Sequence, residues 1–223
     1  MTLDVALHKR LLVEILREIY SDPELGPFLG FKGGTAVLLF YALPRFSVDL
    51  DFDLLDGSKI ALVFERLKEI LADRGILRNA EKKRFSLFFL LSYANKVQGA
   101  HNIKIEVNLR DFGSSYEVLS YLGCGIKTMT KPDIAAHKFV AMLERIGKAN
   151  RDIYDVHFFL KEHWPINFEV IRSRTSLSPN EFFQKCITKL EAMSSLSVLD
   201  GLGELLSEKQ RIWAKQSLIK ETI

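Results

Sequence analysis

Residues 32–53 read KGGTAVLLFYALPRFSVDLDFD and contain two patterns that decide the fold. From Phe46 to Asp53, apolar residues alternate strictly with polar ones. This period of two predicts a half-buried strand that carries Asp49, Asp51 and Asp53 on one face. Aspartate is disfavoured in strands and neighbouring like charges repel, so three in alternation indicate a bound cation rather than a requirement of folding.

A glycine pair precedes this strand. Gly33 and Gly34 allow a tight turn and a close approach to a ligand, and residues 35–42 are typical of a short helix that ends near Pro44. The start of a helix offers unpaired N–H groups to an anion. Alternate strand residues are about 6.6 Å apart, so short carboxylates can converge on one or two magnesium ions. Magnesium also binds substrate phosphates, which makes a nucleoside triphosphate (NTP) a plausible ligand.

Simpler explanations exist for each pattern alone. Gly-Gly-Thr before a helix is most often a turn and cap, and alternating aspartates more often form a solvated sheet face. An EF-hand calcium loop starting at Asp49 would place Leu54 where glycine is needed and Ile60 where the bidentate glutamate belongs. A P-loop is excluded because no Gly-Lys-Ser/Thr follows the glycines. The evidence for a phosphate and metal site is therefore the two patterns in this order.

Two blocks of sequence resemble a known family. KGGTA at residues 32–36, followed by RFSVDLDF at residues 45–52, resembles the core of the AbiEii/AbiGii toxin family, nucleotidyltransferase-like proteins of the DNA polymerase beta superfamily. Residues 133–155 resemble that family's downstream motif, in which a helix carries a lysine and an arginine and leads into Arg-Asp-x-x-Asp. The similarity covers about residues 28–160.

This resemblance implies an enzymatic function. The expected reaction moves a nucleoside monophosphate from an NTP to a hydroxyl group and depends on Mg²⁺, with Mn²⁺ as an alternative ion. The resemblance also implies the toxin of a bacterial toxin–antitoxin (abortive infection) system that acts in phage defence and has a separate antitoxin protein. The acceptor is expected to be an RNA, such as a tRNA end, or a protein.

The resemblance also assigns site residues. Enzymes of this superfamily use two aspartates on one strand and a third carboxylate on its neighbour, and in IKIEVNL (residues 103–109) Glu106 takes the third position by motif order. The superfamily usually has aspartate there, and the longer glutamate could weaken a second metal site. Whether Asp53 belongs to the site stays open, because the family motif centres on Asp49 and Asp51. The expected metal ligands are Asp49, Asp51 and Glu106. The expected catalytic residues are these three and Lys138. The expected NTP-binding residues are Lys32, Gly33, Gly34, Thr35, Arg45, Ser47, Arg145 and Asp152.

Lys138 and Arg145 are seven residues apart, so both point from one helix face. Such a face suits a triphosphate, because its cations offset charge that shifts onto the leaving pyrophosphate. The alternatives are a solvated basic stripe, an Asp152 favoured only by the helix dipole, and a structural contact between Arg151 and Asp155.

The rest of the chain predicts an α/β (α+β) fold: a nucleotidyltransferase-like mixed sheet with flanking helices and a helical C-terminal region. Periodicity predicts helices over residues 3–20, 59–74, 132–162 (two helices), from Ser178 and over 201–219, and strands over 85–93 and 103–109. The expected domains are residues 1–128, with the nucleotidyltransferase core from about residue 28, and residues 129–223. The C-terminal helices carry no catalytic motif, and their role stays open.

Composition limits the remaining function classes. A chain of 223 residues with 48% hydrophobic content can bury a sizeable core. It has no apolar run of the roughly 20 residues needed to span a bilayer and its start does not resemble a signal peptide, so we expect a cytoplasmic protein without a membrane partner. Cys124 and Cys186 are expected to be free thiols. The five histidines lack zinc-ligand spacing, and a net charge of +3 permits only a local basic patch.

Two other function classes stay open. A metal-dependent nuclease could use the same carboxylates without a triphosphate cradle. A non-catalytic nucleotide-binding or regulatory module could keep the fold. Full activity of a Gly33→Ala, Gly34→Ala variant would favour the nuclease, and absence of magnesium-dependent triphosphate binding would favour the non-catalytic module.

Overall fold

The computed structural model describes residues 4–95, 99–194 and 197–223. The described residues form two compact units. Unit 1 comprises residues up to 42, 46–111 and 116–129, and unit 2 comprises residues 43–45, 112–115 and 130–223.

Unit 1 combines a sheet with three α-helices in its described part. The helices are α1 (Val5–Ser21), α2 (Gly33–Tyr41) and α3 (Ile60–Ala72), with short 3₁₀ turns at Gly26–Phe28 and Gly57–Lys59. The strands are β1 (Leu29–Lys32), β2 (Leu50–Leu54), β3 (Ile76–Lys82), β4 (Ser86–Asn95), β5 (Gly99–Asn108), β6 (Tyr116–Tyr121) and β7 (Cys124–Met129). This confirms the expected mixed sheet with flanking helices.

Within the described residues, the seven strands are ordered β3-β4-β5-β2-β1-β7-β6. The aspartate-bearing β2 lies inside the sheet, antiparallel to β1 and parallel to β5. In this register Asp51 lies opposite Lys32 on one side and Glu106 on the other. Side chains at paired positions share a sheet face, so groups from three chain segments meet there.

The other face of the sheet forms the core of unit 1. Phe52, Phe89 and Ile105 are fully buried on it, together with Leu16 of α1 and Leu67 of α3. The strict alternation along β2 and β5 therefore separates an apolar face, which helices cover, from a polar face.

Strand β2 is shorter than predicted. The alternation indicated a strand from Phe46, but ladder pairing begins only at Leu50. The reason is that side chains bind the preceding carbonyls: His8 Nε2 donates to Val48 O at 2.9 Å, and the Thr35 hydroxyl donates to the carbonyl of Asp49. Burial lowers the pKa of His8, so its ring is neutral and Nδ1 can accept from the Tyr93 hydroxyl 2.6 Å away.

Other predictions agree more closely. The opening helix was predicted over residues 3–20 and is α1; Leu3 lies outside the described residues. The helix predicted over residues 35–42 is α2, which begins two residues earlier at Gly33. The helix predicted over residues 59–74 is α3, and the strands predicted over 85–93 and 103–109 are β4 and β5.

Unit 2 is helical in its described part. It contains α4 (Lys131–Arg145), α5 (Arg151–Lys161), α6 (Phe168–Thr175) and α7 (Pro179–Glu191), a 3₁₀ turn (Gly203–Leu205), and α8 (Glu208–Trp213), which continues through a π-helical turn (Ala214–Leu218) into α9 (Ile219–Thr222). The predicted capping box of Ser178 and Glu181 starts α7. The last helix was predicted from residue 201, which was wrong, because a second capping box, Ser207 with Gln210, starts it at Glu208.

The core of unit 2 is separate from the sheet core. Its fully buried members include Val140 of α4, Val156 of α5, Phe182 of α7 and Leu218 near the C-terminus. Among the described residues, no helix has both the length and the apolar character that crossing a bilayer requires.

Candidate active site

The turn between β1 and α2 lies directly against Asp51. Gly33 has a φ of 81°, a conformation that favours glycine. A Cβ atom on Gly33 would lie 2.5 Å from Asp51 Oδ2. Lys32, the N-cap residue of α2, makes no side-chain capping hydrogen bond. The first N–H groups of a helix have no partner within the helix, and an anion can bind them. The glycine turn and the aspartate strand therefore form one site.

Thr35 and Ser47 fix the segment that carries Asp49. Both are buried, and their hydroxyl oxygens are 3.0 Å apart. Together with the hydrogen bond from Thr35 to the Asp49 carbonyl, this contact ties α2 to the residues before β2. In this structure the two side chains position the backbone of Asp49.

The three predicted metal ligands converge on one cation, the ammonium of Lys104. Lys104 Nζ lies 3.8 Å from Asp49 Oδ2, 3.6 Å from Asp51 Oδ1 and 3.1 Å from Glu106 Oε2. These four residues form the carboxylate cluster. Since each side chain keeps some exposure, the cluster is accessible from solvent.

Sequence reasoning missed Lys104, although the signal was present. The alternation in IKIE places Lys104 and Glu106 on the same face of β5, two residues apart. Burial acts to lower the pKa of Lys104, but the three carboxylates outweigh burial and raise it. Lys104 therefore stays charged and neutralises part of the negative charge that Asp49, Asp51 and Glu106 bring together.

The donor set fits a hard divalent cation. Within the part of the chain that is described, no three His, Cys, Asp or Glu side chains already stand in a metal-binding arrangement. The carboxylates of Asp49, Asp51 and Glu106 nevertheless lie within 4 Å of a single positive centre. Mg²⁺ and Mn²⁺ prefer such oxygen donors and complete their coordination with water and phosphate. The residues therefore fit the ion by charge and by donor type.

Asp53 has its own set of partners. Its Oδ1 lies 2.5 Å from Lys32 Nζ and 2.6 Å from Asn108 Nδ2, and its Oδ2 accepts from the Tyr116 hydroxyl at 2.7 Å. The carboxyl group is buried and its charge is offset by Lys32. Asp53 thus links β1, β2, β5 and β6, which is a structural role, and the ammonium of Lys32 is held in this link.

A second polar cluster lies in unit 2. Asp155 accepts two hydrogen bonds from Arg45, at 2.6 and 2.7 Å, and lies 2.7 Å from Lys138 Nζ. Lys138 also lies 3.0 Å from Asp152, and Arg145 contacts the other oxygen of Asp152 at 2.7 Å. We call these five residues the ion-pair cluster. Three cations face two carboxylates, so the cluster carries an excess of one positive charge.

Burial differs within the ion-pair cluster. The side chains of Asp152 and Asp155 are 0% exposed and that of Arg45 is 1% exposed, whereas that of Arg145 is 40% exposed. Burial alone would raise the pKa of Asp155, but Arg45 and Lys138 outweigh it and hold this pKa well below its ordinary value. Lys138 and Arg145 both reach Asp152, as expected for two residues on one helix face.

Comparison with protein families identifies the chain. The model of the nucleotidyl transferase AbiEii toxin family, described as a type IV toxin–antitoxin (TA) system, matches residues 14–193. The chain belongs to the AbiEii family. The match spans both the carboxylate cluster and the ion-pair cluster of this AbiEii protein and confirms the resemblance found in the sequence. No curated protein was found to match it.

Solved structures similar to this AbiEii protein include JHP933 from Helicobacter pylori, with 23% identity, a TM-score of 0.60, and coverage of 100% of this chain and 90% of that one. MenT4, a nucleotidyltransferase toxin from Mycobacterium tuberculosis H37Rv, has 17% identity and a TM-score of 0.64 over 98% of this chain and 82% of that one. At these identities the likeness shows a shared fold.

Gly33→Ala tests the contact between the turn and Asp51. The new methyl group has to displace the Asp51 carboxylate while the backbone keeps a strained φ, so we expect a loss of about 2–4 kcal/mol in the free energy of unfolding. Gly123→Ala is the matched control, because Gly123 has a φ of 79° but open space around it. Urea unfolding followed by circular dichroism should rank the variants in this order; equal losses would refute a steric role for Asp51.

Lys104→Met tests charge balance in the carboxylate cluster. Without the ammonium, three carboxylates repel one another, and we expect a loss of about 1–2 kcal/mol in metal-free buffer. Added Mg²⁺ should raise the melting temperature of the variant more than that of the parent. Lys68→Met, which removes an exposed pair with Glu65, is the control for loss of a surface charge. An identical response of parent and Lys104→Met to Mg²⁺ would contradict this interpretation.

Asp155→Asn tests the ion-pair cluster. Breaking a buried pair should cost about 3–5 kcal/mol near neutral pH. Since the folded pKa of Asp155 lies below its ordinary 3.8, its contribution is complete above that pH and is lost as the pH falls toward the folded pKa. The difference in stability between parent and variant should therefore be constant from about pH 5 to 8 and shrink below about pH 4.

Tryptophan fluorescence is the suitable signal for this measurement, because both tryptophans, Trp164 and Trp213, belong to unit 2. The exposed Glu162→Gln serves as the control and should differ little from the parent at every pH. A parent–variant difference that persists unchanged into strong acid would show that Asp155 is not held ionised by Arg45 and Lys138.

Proposed function

We propose that this AbiEii protein is a magnesium-dependent nucleotidyltransferase that moves a nucleoside monophosphate from an NTP to an acceptor hydroxyl. One observation carries the proposal: Asp49, Asp51 and Glu106 converge on a single cation next to the glycine turn that opens α2. Carboxylates beside an anion-binding helix start are what a metal–triphosphate complex requires.

In the proposed mechanism, Asp49, Asp51 and Glu106 would hold Mg²⁺ or Mn²⁺. The bound ion would lower the pKa of the attacking hydroxyl and offset charge on the transferred phosphoryl group. The N–H groups at Gly33 and Gly34 would bind the β and γ phosphates. Thr35 and Ser47 would support this geometry by holding the backbone of Asp49. Catalysis would rest mainly on positioning and charge neutralisation.

The cationic residues of unit 2 have a proposed role in binding the triphosphate. The ion-pair cluster contains three cations and two carboxylates, which leaves an excess of one positive charge. Arg145 is the most exposed of its three cations. We assign Lys138 and Arg145 to the polyphosphate, with Asp152, Asp155 and Arg45 holding their side chains in place. Lys32, paired with Asp53, would contribute to the field around the phosphates.

The proposed biological role is that of a toxin in the cytoplasm of a bacterium, neutralised by a separate antitoxin and able to act in phage defence. Membership of the AbiEii toxin family supports this role. The acceptor would be an RNA, such as a tRNA end, or a protein. MenT4, whose structure is similar, is itself a nucleotidyltransferase toxin.

A nuclease is the main competing function, and the structure changes how it should be tested. A nuclease needs no triphosphate cradle, so a loss of activity on changing Gly33 would by itself argue against a nuclease. However, Gly33→Ala would displace Asp51 and impair either enzyme. Binding of an NTP in the presence of Mg²⁺, measured by calorimetry on the parent protein, separates the two functions cleanly.

The central test follows transfer of label. Each α-³²P-labelled NTP is incubated with Mg²⁺, total cellular RNA or protein, and either the parent or the Asp49→Asn, Asp51→Asn variant. Asparagine keeps the shape of the side chain but removes the charge that would hold the ion, so we expect at least a roughly hundredfold loss of transfer. The exposed Asp73→Asn is the control. Equal transfer by the parent and the double variant would refute the assignment of these aspartates.

A further inference from the structure

The polar face of the sheet continues beyond the carboxylate cluster onto β4. In the register of β4 and β5, Phe88 lies opposite Glu106, and Leu90 lies opposite Lys104. Paired positions on neighbouring strands share a face and are separated by about 4.8 Å. Phe88 therefore stands on the same face as Glu106, one strand further from Asp51. Its ring is partly exposed there.

Cationic side chains surround Phe88 and its neighbour Phe85. Lys83 Nζ lies 4.0 Å from the centre of the Phe88 ring. The guanidinium carbons of Arg84 and Arg110 lie 4.8 and 5.5 Å from the centre of the Phe85 ring. We call these five residues the hairpin patch, since four of them belong to the β3–β4 hairpin.

The hairpin patch is exposed in a way that core packing does not require. Phe85 is 48% exposed in the turn between β3 and β4, where Lys83 and Arg84 are also exposed, as is Lys82 at the end of β3. Glu81 Oε2 lies 3.9 Å from Lys83 Nζ, near the distance limit for an ion pair. This exposed pair is therefore weak, and the Lys83 ammonium can contact a ligand. Exposed aromatic rings flanked by cations match a ligand with flat bases and phosphates.

The reaction geometry places the acceptor on this side of the sheet, an argument that rests on the proposed function. The glycine turn follows β1, on one side of β2, whereas β5 and then β4 lie on the other side. In phosphoryl transfer the attacking and leaving oxygens are roughly in line across the phosphorus. A triphosphate bound at Gly33 therefore leaves the side of Glu106 and Phe88 for the attacking hydroxyl.

We propose that the hairpin patch binds the single-stranded 3′ end of an RNA acceptor. The terminal bases stack on Phe85 and Phe88, and Lys83, Arg84 and Arg110 contact the phosphates. The terminal ribose then lies on the Glu106 side of the carboxylate cluster. RNA fits better than protein because the patch combines rings, on which unpaired bases stack, with cations that contact phosphates. Proteins recognise the single-stranded ends of RNA by stacking their bases on aromatic side chains in this way.

The test measures RNA binding without any nucleotide. A 5′-fluorescein-labelled, unstructured oligoribonucleotide of about 12 residues, enough to span several stacked bases, is titrated with the full-length protein, and anisotropy gives the Kd at several KCl concentrations. The probe variant is Lys83→Gln with Phe85→Ser, since both residues are exposed and lie outside the core. Phe88→Leu is a second variant that removes the ring but keeps apolar bulk.

Lys59→Gln is the matched control. Lys59 Nζ also lies over a phenylalanine ring, 5.2 Å from the centre of Phe28, but on the segment that follows β2. We expect the probe variant to raise the Kd at least about tenfold, which matches the loss of one stacked base and one phosphate contact. The slope of log K against log salt should fall by about one. The Kd for Mg²⁺–NTP should stay unchanged, and Lys59→Gln should bind RNA as the parent does.

Three outcomes would overturn the proposal. The first is RNA binding by the probe variant and by Phe88→Leu that equals that of the parent. The second is parent binding to a blunt RNA duplex as tight as to the single strand. The third is labelling of a protein by a parent that does not bind the oligoribonucleotide, which would leave the proposed function intact. A parent that binds RNA through the patch but transfers no label would instead remove the proposed function and keep the patch as an RNA site.

Discussion

The pairing of β2 with β1 on one side and β5 on the other is the constraint on which the site of unit 1 depends. The pairing with β5 brings Asp51 next to Glu106, and the pairing with β1 brings it next to the glycine turn that follows β1. Three carboxylates so close together repel one another, and two factors hold them there. Buried residues such as Phe52 and Ile105 anchor the same strands on the other face, and Lys104 supplies the opposite charge.

Unit 2 also holds carboxylates close together, and there they are buried from solvent. Asp152 and Asp155 are fully buried, and an uncompensated buried charge would be very costly. Lys138 contacts both carboxylates, and Arg45 reaches Asp155 from a position 110 residues earlier in the chain. Arg45 and Lys138 therefore hold the pKa of Asp155 below its ordinary value despite its burial. In the proposed function, Lys138 would contact the polyphosphate as well, so one side chain would serve both folding and binding.

The sequence allowed the residues of the polar face to be predicted, but not which of their side chains contact one another. Strict alternation placed Asp49 and Asp51 on one face of a strand and Glu106 on the polar face of another strand. The resemblance to the family, through motif order, made Glu106 the expected neighbour of the two aspartates. Alternation cannot distinguish a ligand from a structural carboxylate. Asp53 differs from Asp51 in its partners Lys32, Asn108 and Tyr116, which lie 21, 55 and 63 residues away in the sequence. Alternation also showed only that Lys104 lies on the polar face. It did not show that the Lys104 ammonium contacts all three carboxylates.

Element boundaries failed where side chains compete with the backbone. The strand predicted from Phe46 starts late because His8 and Thr35 bind its first carbonyls, and His8 is 40 residues away from Val48. The short β1 and the exposed β3 carry no clear pattern of their own.

The chain crosses between the two units several times, and this limits how they can be separated. Arg45 belongs to unit 2, yet Ser47, two residues later, belongs to unit 1. A fragment that begins at residue 130 would lack Arg45 and would bury Asp155 with one cation fewer. No single cut in the chain can separate the two units and keep Arg45 with Asp155, because residues 43–45 of unit 2 lie between segments of unit 1.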